Sequence, residues 1–523
     1  MPVLTAIDVL GVQRYIFATN RLRDIAAASW LVDWAVGEDG ALKEVKARPK
    51  DILFAGGGNA LLLFDTLSDA KEFAEQYSRQ LYLKAPDLEV ALVHREYESD
   101  RLARALQVIQ KELVFKKLSR KPSTPLLGIS VNANCSQTGL AAVTTENGIP
   151  ISRRIQIYNE CWNKLAKKWK SLLDNTENVS FPTELDKLGR THGDTSFLAV
   201  VHIDGNQIGQ KLQDWFKKVV AENISDQGLI EKYRIISESL DEAATLALKA
   251  VVQRIYQAIE YDEKGKPIIR DSRSSIEIRL QKEQGKICLP IRPILLGGDD
   301  ITFVCDARLA HDAIATALRT YEAQCKDVPE LYPLSSCAGA ALIHTHSPFI
   351  RGYETAERLC SRAKQKAREK QEKDRSYLDW HIGLLRPGES LEEAYDRQYK
   401  TKEHDLSCRP YAFTKEIEPD SWDWFENTLL GTGQHGLRSS VWMESRNKIK
   451  ALPSLARHNV KILEQTLASW QAINPNLNFP SPIKNTGFKN THTPLIDAVE
   501  LIDIYMNLNH TASKKPDRKE RES

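Results

Sequence analysis

The stretch PILLGGDDITFV, residues 293–304, decides how the rest of the chain is interpreted. A Gly-Gly-Asp-Asp sequence stands between two apolar runs, which is the pattern of a β-hairpin with its turn at the glycines. A plain hairpin turn needs only one acidic or amide residue beside glycine. Because neighbouring carboxylates repel each other, the second aspartate at the tip requires a further explanation.

The pattern around this hairpin occurs twice along the chain. Apolar runs predict strands in the first copy at residues 3–9, 52–55, 60–64 and 88–93. The second copy has such runs at residues 197–203, 291–296, 301–305 and 335–344. Helical spacing predicts the segments between and after them at residues 13–36, 68–83, 228–260, 310–325 and 351–370. The order β-α-β-β-α-β is typical of a ferredoxin-like α/β (α+β) domain, so we expect two such domains in tandem.

Two pairs of segments support an internal duplication. TAIDVLGVQRYIF and VVHIDGNQIGQKL both place Ile-Asp at the end of the first strand. LFAGGGNALLLF and LLGGDDITFVC both form the second hairpin. The first copy has the tip Gly-Gly-Gly-Asn and has therefore lost the hairpin acids.

The predicted organisation has four parts. A first, degenerate domain occupies residues 1–150, and a helical linker follows at residues 151–195. The second domain, with the acidic hairpin and a helical insertion, occupies residues 196–400. A helical C-terminal region with a charged tail completes the chain at residues 401–523, and within it a helix is predicted at residues 445–472.

The strand order predicts a cluster of acids. In a ferredoxin-like sheet the first strand lies beside the hairpin, which brings Asp204 close to Asp299 and Asp300. Three crowded carboxylates predict a cation, and Mg²⁺ suits carboxylates, water and phosphate oxygens. Two such ions can activate an attacking hydroxyl and stabilise a leaving pyrophosphate. Gly297 and Gly298 leave room for a nucleotide at the turn. The alternative is a surface hairpin whose aspartates only form the turn.

Longer stretches resemble a known family. IRPILLGGDDITFVCDARLA with VHIDGNQIGQ is similar to the catalytic palm of the large polymerase/cyclase-like subunit of type III CRISPR effector complexes. IDVLGVQRYIFATNRLRDIAAASWLV with AGGGNALLLF resembles the degenerate first palm of that family. SSCAGAALIHTHSPFIRGYETAERLCSRAKQKA resembles the strand and helix that close the second palm. The resemblance covers residues 4–370.

The resemblance implies roles for individual residues. It implies metal ligands at Asp204, the backbone of Ile203, Asp299 and Asp300, with the three aspartates as the catalytic set. It implies nucleotide contacts at Gly205, Asn206, Gly297, Gly298 and Lys364. For Lys364, pattern alone favours the alternative of a solvated helix lysine.

The chain departs from the family in three ways. Asn206 stands where relatives often have a second aspartate, which predicts weaker Mg²⁺ binding or a preference for Mn²⁺. The space before Leu4 leaves no room for the HD nuclease domain of many relatives, so we expect the form without it. His311 and Asp312 form an HD dipeptide that we expect on a helix surface. Cys135 is what remains of a cysteine module, so zinc is not expected.

By the resemblance, the chain is expected to be a metal-dependent nucleotidyltransferase or cyclase. It would use nucleoside triphosphates, with ATP as the expected substrate, to make an oligonucleotide second messenger in antiviral defence. The alternative is a catalytically weak subunit that binds RNA and other effector subunits. Two basic runs, residues 116–121 and 364–373, either face RNA or are solvated surfaces. A simple diguanylate cyclase is disfavoured because the tip lacks a Glu-Phe ending.

Composition excludes several classes. The 523 residues carry a formal net charge of +2 and are 42% hydrophobic, which indicates a globular protein without a basic nucleic-acid coat. The first residues lack the pattern of a signal peptide, and no apolar run reaches the ~20 residues that cross a bilayer. The 8 cysteines form no C-x-x-C pair. A cytoplasmic location without a membrane partner is expected.

Overall fold

The fold was analysed in a computed structural model. The structure describes residues 1–120, 131–173, 176, 178–188, 197–222, 224–271, 273–328, 331–372 and 374–508. The predicted charged tail, the last part of the predicted linker, and Lys121 and Lys373 at the ends of the two basic runs lie outside these residues. None of the described helices is long and apolar enough to span a bilayer.

The described residues form eighteen strands and sixteen α-helices. The strands are β1 (Val3–Leu10), β2 (Asp51–Gly56), β3 (Asn59–Phe64), β4 (Glu89–Glu96), β5 (Ala142–Glu146), β6 (Ile149–Ser152), β7 (Val179–Ser180), β8 (Phe197–Gly205), β9 (Ile259–Tyr261), β10 (Pro267–Arg270), β11 (Glu277–Arg279), β12 (Lys282–Glu283), β13 (Lys286–Cys288), β14 (Ile291–Gly297), β15 (Asp300–Asp306), β16 (Ser336–His344), β17 (Tyr377–Ile382) and β18 (Tyr411–Ala412). The helices are α1 (Val12–Ile16), α2 (Leu22–Val36), α3 (Ala41–Glu44), α4 (Leu67–Lys84), α5 (Leu102–Ser119), α6 (Arg153–Lys168), α7 (Ile208–Ala221), α8 (Asp226–Gln257), α9 (Ala310–Gln324), α10 (Phe349–Glu369), α11 (Leu391–Tyr399), α12 (Trp422–Trp424), α13 (Ser440–Glu444), α14 (Arg446–His458), α15 (Val460–Ile473) and α16 (Leu495–Leu501).

Two sheets have the same strand order. The first sheet is β2-β3-β1-β4, and the second begins β14-β15-β8-β16 and continues with β17 and β18. The four shared strands pair antiparallel in both sheets. This is the ferredoxin-like order, so the predicted fold class of two tandem α/β (α+β) domains is confirmed. The exact domain boundaries stay predictions.

Both edge strands carry a β-bulge at the same distance from the hairpin tip. In β2 the register shifts between Ile52 and Phe54, and in β14 it shifts between Pro293 and Leu295. Proline has no backbone N–H to donate, so it is tolerated in a strand at an edge or a bulge, and β14 offers both. The shared bulge adds a structural reason to regard the two domains as duplicates.

The structure corrects two element predictions and adds one strand. The helix expected at residues 13–36 is interrupted between α1 and α2, and the interruption lets Asn20 Oδ1 accept the backbone N–H of Phe349 at 2.6 Å. The helix expected at residues 445–472 breaks at Asn459, which is extended and caps α15 through the N–H of Lys461 at 2.8 Å. Strand β17 was not predicted. It pairs parallel with β16, a long-range contact that a six-residue run does not reveal.

The two domains share a hydrophobic core on one face of the second sheet. Alternate residues of β8 point to opposite faces, so Leu198 and Val200 join the first domain's core while Val201 and Ile203 face α8 and α9. Helix α10 lies at this shared face. Its Tyr353 ring packs on Phe17 with ring centroids 4.4 Å apart. The position of α10 therefore depends on both domains.

The C-terminal region covers α9 and corrects the expectation for the HD dipeptide. His311 has no exposed surface, and its ring stacks on Trp422 with centroids 5.8 Å apart. Asp312 accepts two hydrogen bonds from Arg254 at 2.7 and 2.8 Å. Both residues are buried, so the expectation of an exposed helix surface was wrong. The aromatic residues that bury them lie far along the chain.

We expect Gly339→Ala to destabilise the protein by about 1–3 kcal/mol, because overpacking a tight contact displaces its elements. A Cβ at Gly339 in β16 would lie 2.0 Å from the carbonyl oxygen of Ala356 and 2.5 Å from the nitrogen of Cys360, both in the backbone of α10. The control is Gly209→Ala in α7, where a Cβ meets nothing within 4 Å. Chemical unfolding should show a loss only for the first variant, and equal stability of the two variants would contradict the packing argument.

Candidate metal and nucleotide site

The end of β8 and the tip of the β14–β15 hairpin place the predicted acids together. Ile203 pairs with Ile301, so Asp204 extends beyond this pair toward the tip. Asp300 opens β15 opposite Gly297. Ligand atoms of Asp204, Asp300 and a third residue, His202, lie within 4.8 Å of one another. The strand order explains this convergence, because β8 and β15 are direct neighbours.

Asp299 lies in the two-residue turn between the strands. Gly298 has a φ of 63°, a left-handed conformation that glycine adopts without strain. In the first domain both turn residues, Gly57 and Gly58, have positive φ, at 57° and 80°. Asp299 is not among the residues with positive φ, so the acidic hairpin uses a different turn. That turn allows a side chain at the second position.

The carboxylates of the site are held together at an electrostatic cost. Burial, together with the Asp204 carboxylate, raises the pKa of Asp299 to about 6. Burial raises the pKa of Asp300 well above its usual value, and the charges of Asp204 and Asp299 add to the effect. Repulsion of this kind is relieved by a proton or by a cation.

Lys364 supplies one positive charge from helix α10. Its ammonium group forms an ion pair with the Asp204 carboxylate, and its side chain is only 16% exposed. Burial lowers the pKa of Lys364, but the charge of Asp204, the hydrogen bond to it and the neighbouring Cys360 and Asp299 together outweigh burial and raise the pKa above its usual value. The alternative of a solvated helix lysine therefore does not hold.

Three glycines of the site have different neighbours. A Cβ at Gly205 would lie 2.8 Å from Asp299 Oδ2, so the missing side chain lets Asp299 approach the end of β8. A Cβ at Gly297 would lie 2.7 Å from the Cα of Gly57, the tip of the first domain's hairpin. Gly298 faces open space. The two hairpins thus meet backbone to backbone, and Gly298 is the glycine whose surroundings leave room for a ligand.

Asn206 is buried and bonded away from the acids. Its Nδ2 donates to Ser335 Oγ at 2.7 Å and to the carbonyl oxygen of Arg375 at 3.3 Å. Its backbone N–H donates to the carbonyl oxygen of Ser335 at 2.8 Å. These contacts tie the end of β8 to the segments before β16 and β17. A role for Asn206 in holding metal or nucleotide stays a prediction.

A groove of about 410 Å³ opens between the domains beside the two hairpin tips. Asp241 of α8 lines it and accepts the backbone N–H of Gly298 at 3.3 Å. Lys168 of α6 also lines it and pairs with Asp33 of α2. Burial lowers the pKa of Lys168 to about 7. Asp241 therefore holds the outer side of the acidic hairpin, and the Lys168–Asp33 pair lies in the same groove.

The first domain keeps half of this arrangement. Asp8 ends the Ile-Asp sequence of β1 and forms an ion pair with Lys117 of α5, the helix that follows the last strand of that sheet. Lys364 occupies the corresponding place in the second domain. Asn59, opposite Gly56, stands where the second hairpin has Asp300. The duplicate thus retains an aspartate–lysine pair without the hairpin acids.

Some lysines of the two basic runs, residues 116–121 and 364–373, form ion pairs within the protein. Lys117 pairs with Asp8, and Lys370 pairs with Asp420 at 2.5 Å. Neither lysine is a free positive charge, which weakens the interpretation of these runs as RNA-binding faces. Contact with RNA stays a prediction.

His202 is the site residue that the sequence analysis missed. It lies two residues before Asp204 on the same strand, so strand periodicity places both side chains on one face. Its Nδ1 is 3.1 Å from Thr302 Oγ1 on β15, and the side chain is buried. Burial lowers the pKa of His202 to about 4, so the imidazole is neutral near pH 7. The spacing His-x-Asp in a predicted strand could have identified His202, because residues two apart in a strand lie on the same face.

These residues fit a divalent cation. Carboxylate oxygens and a neutral imidazole are metal ligands, and the raised pKa values of Asp299 and Asp300 show how strongly the site disfavours its own negative charge. Lys364 balances the negative charge of Asp204. The charges of Asp299 and Asp300 are left for a cation to balance.

A family model matches most of the second domain. Residues 197–376 match the family model described as Cas10/Cmr2, second palm domain. No curated protein matches the sequence.

Solved structures match almost the whole chain. A Csm1–Csm4 cassette in complex with pppApA is similar with a TM-score of 0.53 at 14% identity, over 96% of this chain and 69% of that one. The cassette in complex with one ATP matches with a TM-score of 0.51 at 15% identity, over 96% and 70%. The cassette in complex with cA3 matches with a TM-score of 0.51 at 13% identity, over 96% and 69%. At these identities the similarity concerns the fold.

We expect Gly297→Ala to disturb the contact between the hairpins, while Gly56→Ala, at the corresponding position of the first hairpin, is tolerated. The new Cβ of the first variant would meet Gly57 at 2.7 Å, whereas that of the second meets only the Phe54 ring at 3.8 Å. Both glycines have negative φ, so the comparison isolates the contact. Thermal unfolding should show a lower Tm for Gly297→Ala alone. Equal effects of both substitutions would contradict this contact.

We expect the metal-free protein to lose stability through Asp299 and Asp300 as the pH rises. Because folding raises both pKa values, the folded state binds more protons than the unfolded state between about pH 4 and the folded pKa of about 6 for Asp299. The free energy of unfolding contributed by these groups is therefore highest below this window and falls through it.

The measurement is the difference in Tm between the wild type and the double variant Asp299→Asn with Asp300→Asn, followed as a function of pH. The variant should gain stability relative to the wild type as the pH rises. The control is Asp65→Asn with Asp214→Asn, whose carboxylates are 65% and 53% exposed. A difference that does not change with pH would contradict the electrostatic cost described above.

Proposed function

Because the chain belongs to the family of Cas10-like palm subunits, we propose that it is a metal-dependent nucleotidyltransferase that joins or cyclises nucleoside triphosphates. The observation that supports this is the convergence of Asp204, Asp299 and Asp300 next to Lys364 at one end of the second sheet. An acidic cluster held this close is disfavoured unless a cation or a proton joins it.

The chemistry follows from the charges of these side chains. Asp204 and Asp300 offer oxygens to a divalent cation, which when bound neutralises phosphate charge and lowers the pKa of an attacking hydroxyl. Asp299 adds a third carboxylate from the turn. The Lys364 ammonium, now paired with Asp204, is within reach of phosphate oxygens that enter the same space. The backbone of Ile203 and the unobstructed Gly298 complete the set proposed to face the ligand.

The substrate is proposed to be ATP, and the product an oligoadenylate second messenger used in antiviral defence. The similar cassettes are described in complex with one ATP, with pppApA and with cA3. These ligands belong to those proteins, and the shared fold is the reason to test them here. The same descriptions name Csm1 together with Csm4, so a partner subunit of an effector complex is proposed as well.

A second candidate is a catalytically weak subunit that binds RNA and proteins. Asn206 favours it, because its amide nitrogen is committed to Ser335 and Arg375 and brings no charge to the acids. The intact carboxylates oppose it. The two candidates differ in whether the palm turns nucleotides over.

The double variant Asp299→Asn with Asp300→Asn should reduce product formation to background while remaining folded. Loss of two carboxylates removes the negative charge that would hold the cation. The assay is incubation of each labelled nucleoside triphosphate with Mg²⁺ or Mn²⁺, with and without RNA, and separation of the products. Asp65→Asn with Asp214→Asn matches the charge change and should keep full activity. Full turnover in the acidic-hairpin variant would refute the proposed mechanism, and no product from the wild type under any condition would favour the second candidate.

A further inference from the structure

We propose that His202 is a ligand of the cation at this site, so that the site favours a nitrogen-tolerant divalent ion, such as Mn²⁺ or Co²⁺, over Mg²⁺. The inference rests on the proposed function in so far as both concern the same acids. It adds a nitrogen ligand to the set of ligands expected from the sequence, all of which are oxygens.

The sheet geometry supports this role. His202 on β8 lies directly opposite Thr302 on β15, and Asp204 and Asp300 lie two residues further toward the tip on the same face. One ligand atom from each of His202, Asp204 and Asp300 lies within 4.8 Å of the others. Ligands on opposite sides of an ion with ~2.1 Å bonds are separated by about 4 Å, so small rotations of the two carboxylate side chains bring the three atoms onto one ion.

The orientation of the imidazole ring is fixed. Nδ1 lies 3.1 Å from Thr302 Oγ1, and the His202 ring meets the edge of the Tyr353 ring with centroids 5.6 Å apart. Both His202 and Thr302 are buried. A hydrogen bond at one ring nitrogen is the usual way in which a protein aims the other nitrogen at a metal.

The ligand types decide the class of ion. Mg²⁺ prefers an all-oxygen shell and keeps several waters. Imidazole nitrogen strengthens binding of first-row transition ions, with Co²⁺ above Mn²⁺ in the general order. A site with one imidazole and two carboxylates therefore discriminates against Mg²⁺ more than a carboxylate-only site does.

A purely structural role for His202 is the competing explanation, and the chain contains a matched control. In the first domain His94 on β4 lies opposite Thr5 on β1, and its Nδ1 is 2.8 Å from Thr5 Oγ1. This cross-strand pair has the same chemistry. Among the described residues it belongs to no cluster of metal-ligand atoms.

The experiment uses the full chain with Mn²⁺ alone, without nucleotide. Pulsed electron paramagnetic resonance should detect nitrogen coupled to the bound Mn²⁺, and the coupling should change when the protein carries ¹⁵N-labelled histidine. In His202→Gln the coupling should disappear and the Kd for Mn²⁺ should rise by about 10-fold or more. His94→Gln should keep both.

Bound Mn²⁺ without nitrogen coupling in the wild type would overturn the proposal, as would coupling that survives in His202→Gln. Absence of Mn²⁺ binding at millimolar concentration would overturn it too. If His202→Gln fails to fold, the labelling experiment on the wild type decides, because His202 is the histidine of the described ligand cluster. Product formation with Mg²⁺ but no nitrogen coupling leaves the proposed function standing and refutes this inference. Nitrogen coupling without product formation supports His202 as a ligand and contradicts the proposed function.

Discussion

The close packing of α10 on β16 is the constraint on which the site depends. At Gly339 the two backbones approach so closely that a methyl group would collide with Ala356 and Cys360. The same helix contacts the first domain through Tyr353 and carries Lys364 to Asp204. Since a rigid helix links these three places, a shift at the strand would move the lysine away from the acids and loosen the contact between the domains.

The charges of the site balance only in part. Lys364 pairs with Asp204, while Asp299 and Asp300 remain close to it and to each other. The protein therefore keeps an arrangement that is unfavourable when empty and favourable with a cation, which is typical of functional sites. His202 is neutral and buried beside these acids, so it adds a ligand without adding charge.

Duplication has produced two domains with the same strand order, the same bulge and the same aspartate–lysine pairing, yet with one acidic hairpin. In the first domain Asn59 replaces an acid, and the tip is used to contact the second domain at Gly297. Glycine is needed at Gly297 because a Cβ there would lie 2.7 Å from the Gly57 backbone, whereas at Gly57 it is the positive φ of 57° that favours glycine. The degenerate hairpin is thus retained as a packing partner of the acidic one.

The sequence by itself determined the ferredoxin-like order and the meeting of Asp204 with Asp300, because strand periodicity and neighbouring strands follow from local patterns. It also contained the His-x-Asp spacing that puts His202 on the same face. Only the tertiary structure decided that Gly297 faces Gly57, that Asn206 bonds to Ser335, and that His311 is buried. These contacts join segments that are distant along the chain, and the packing that creates them leaves no periodic pattern in either segment.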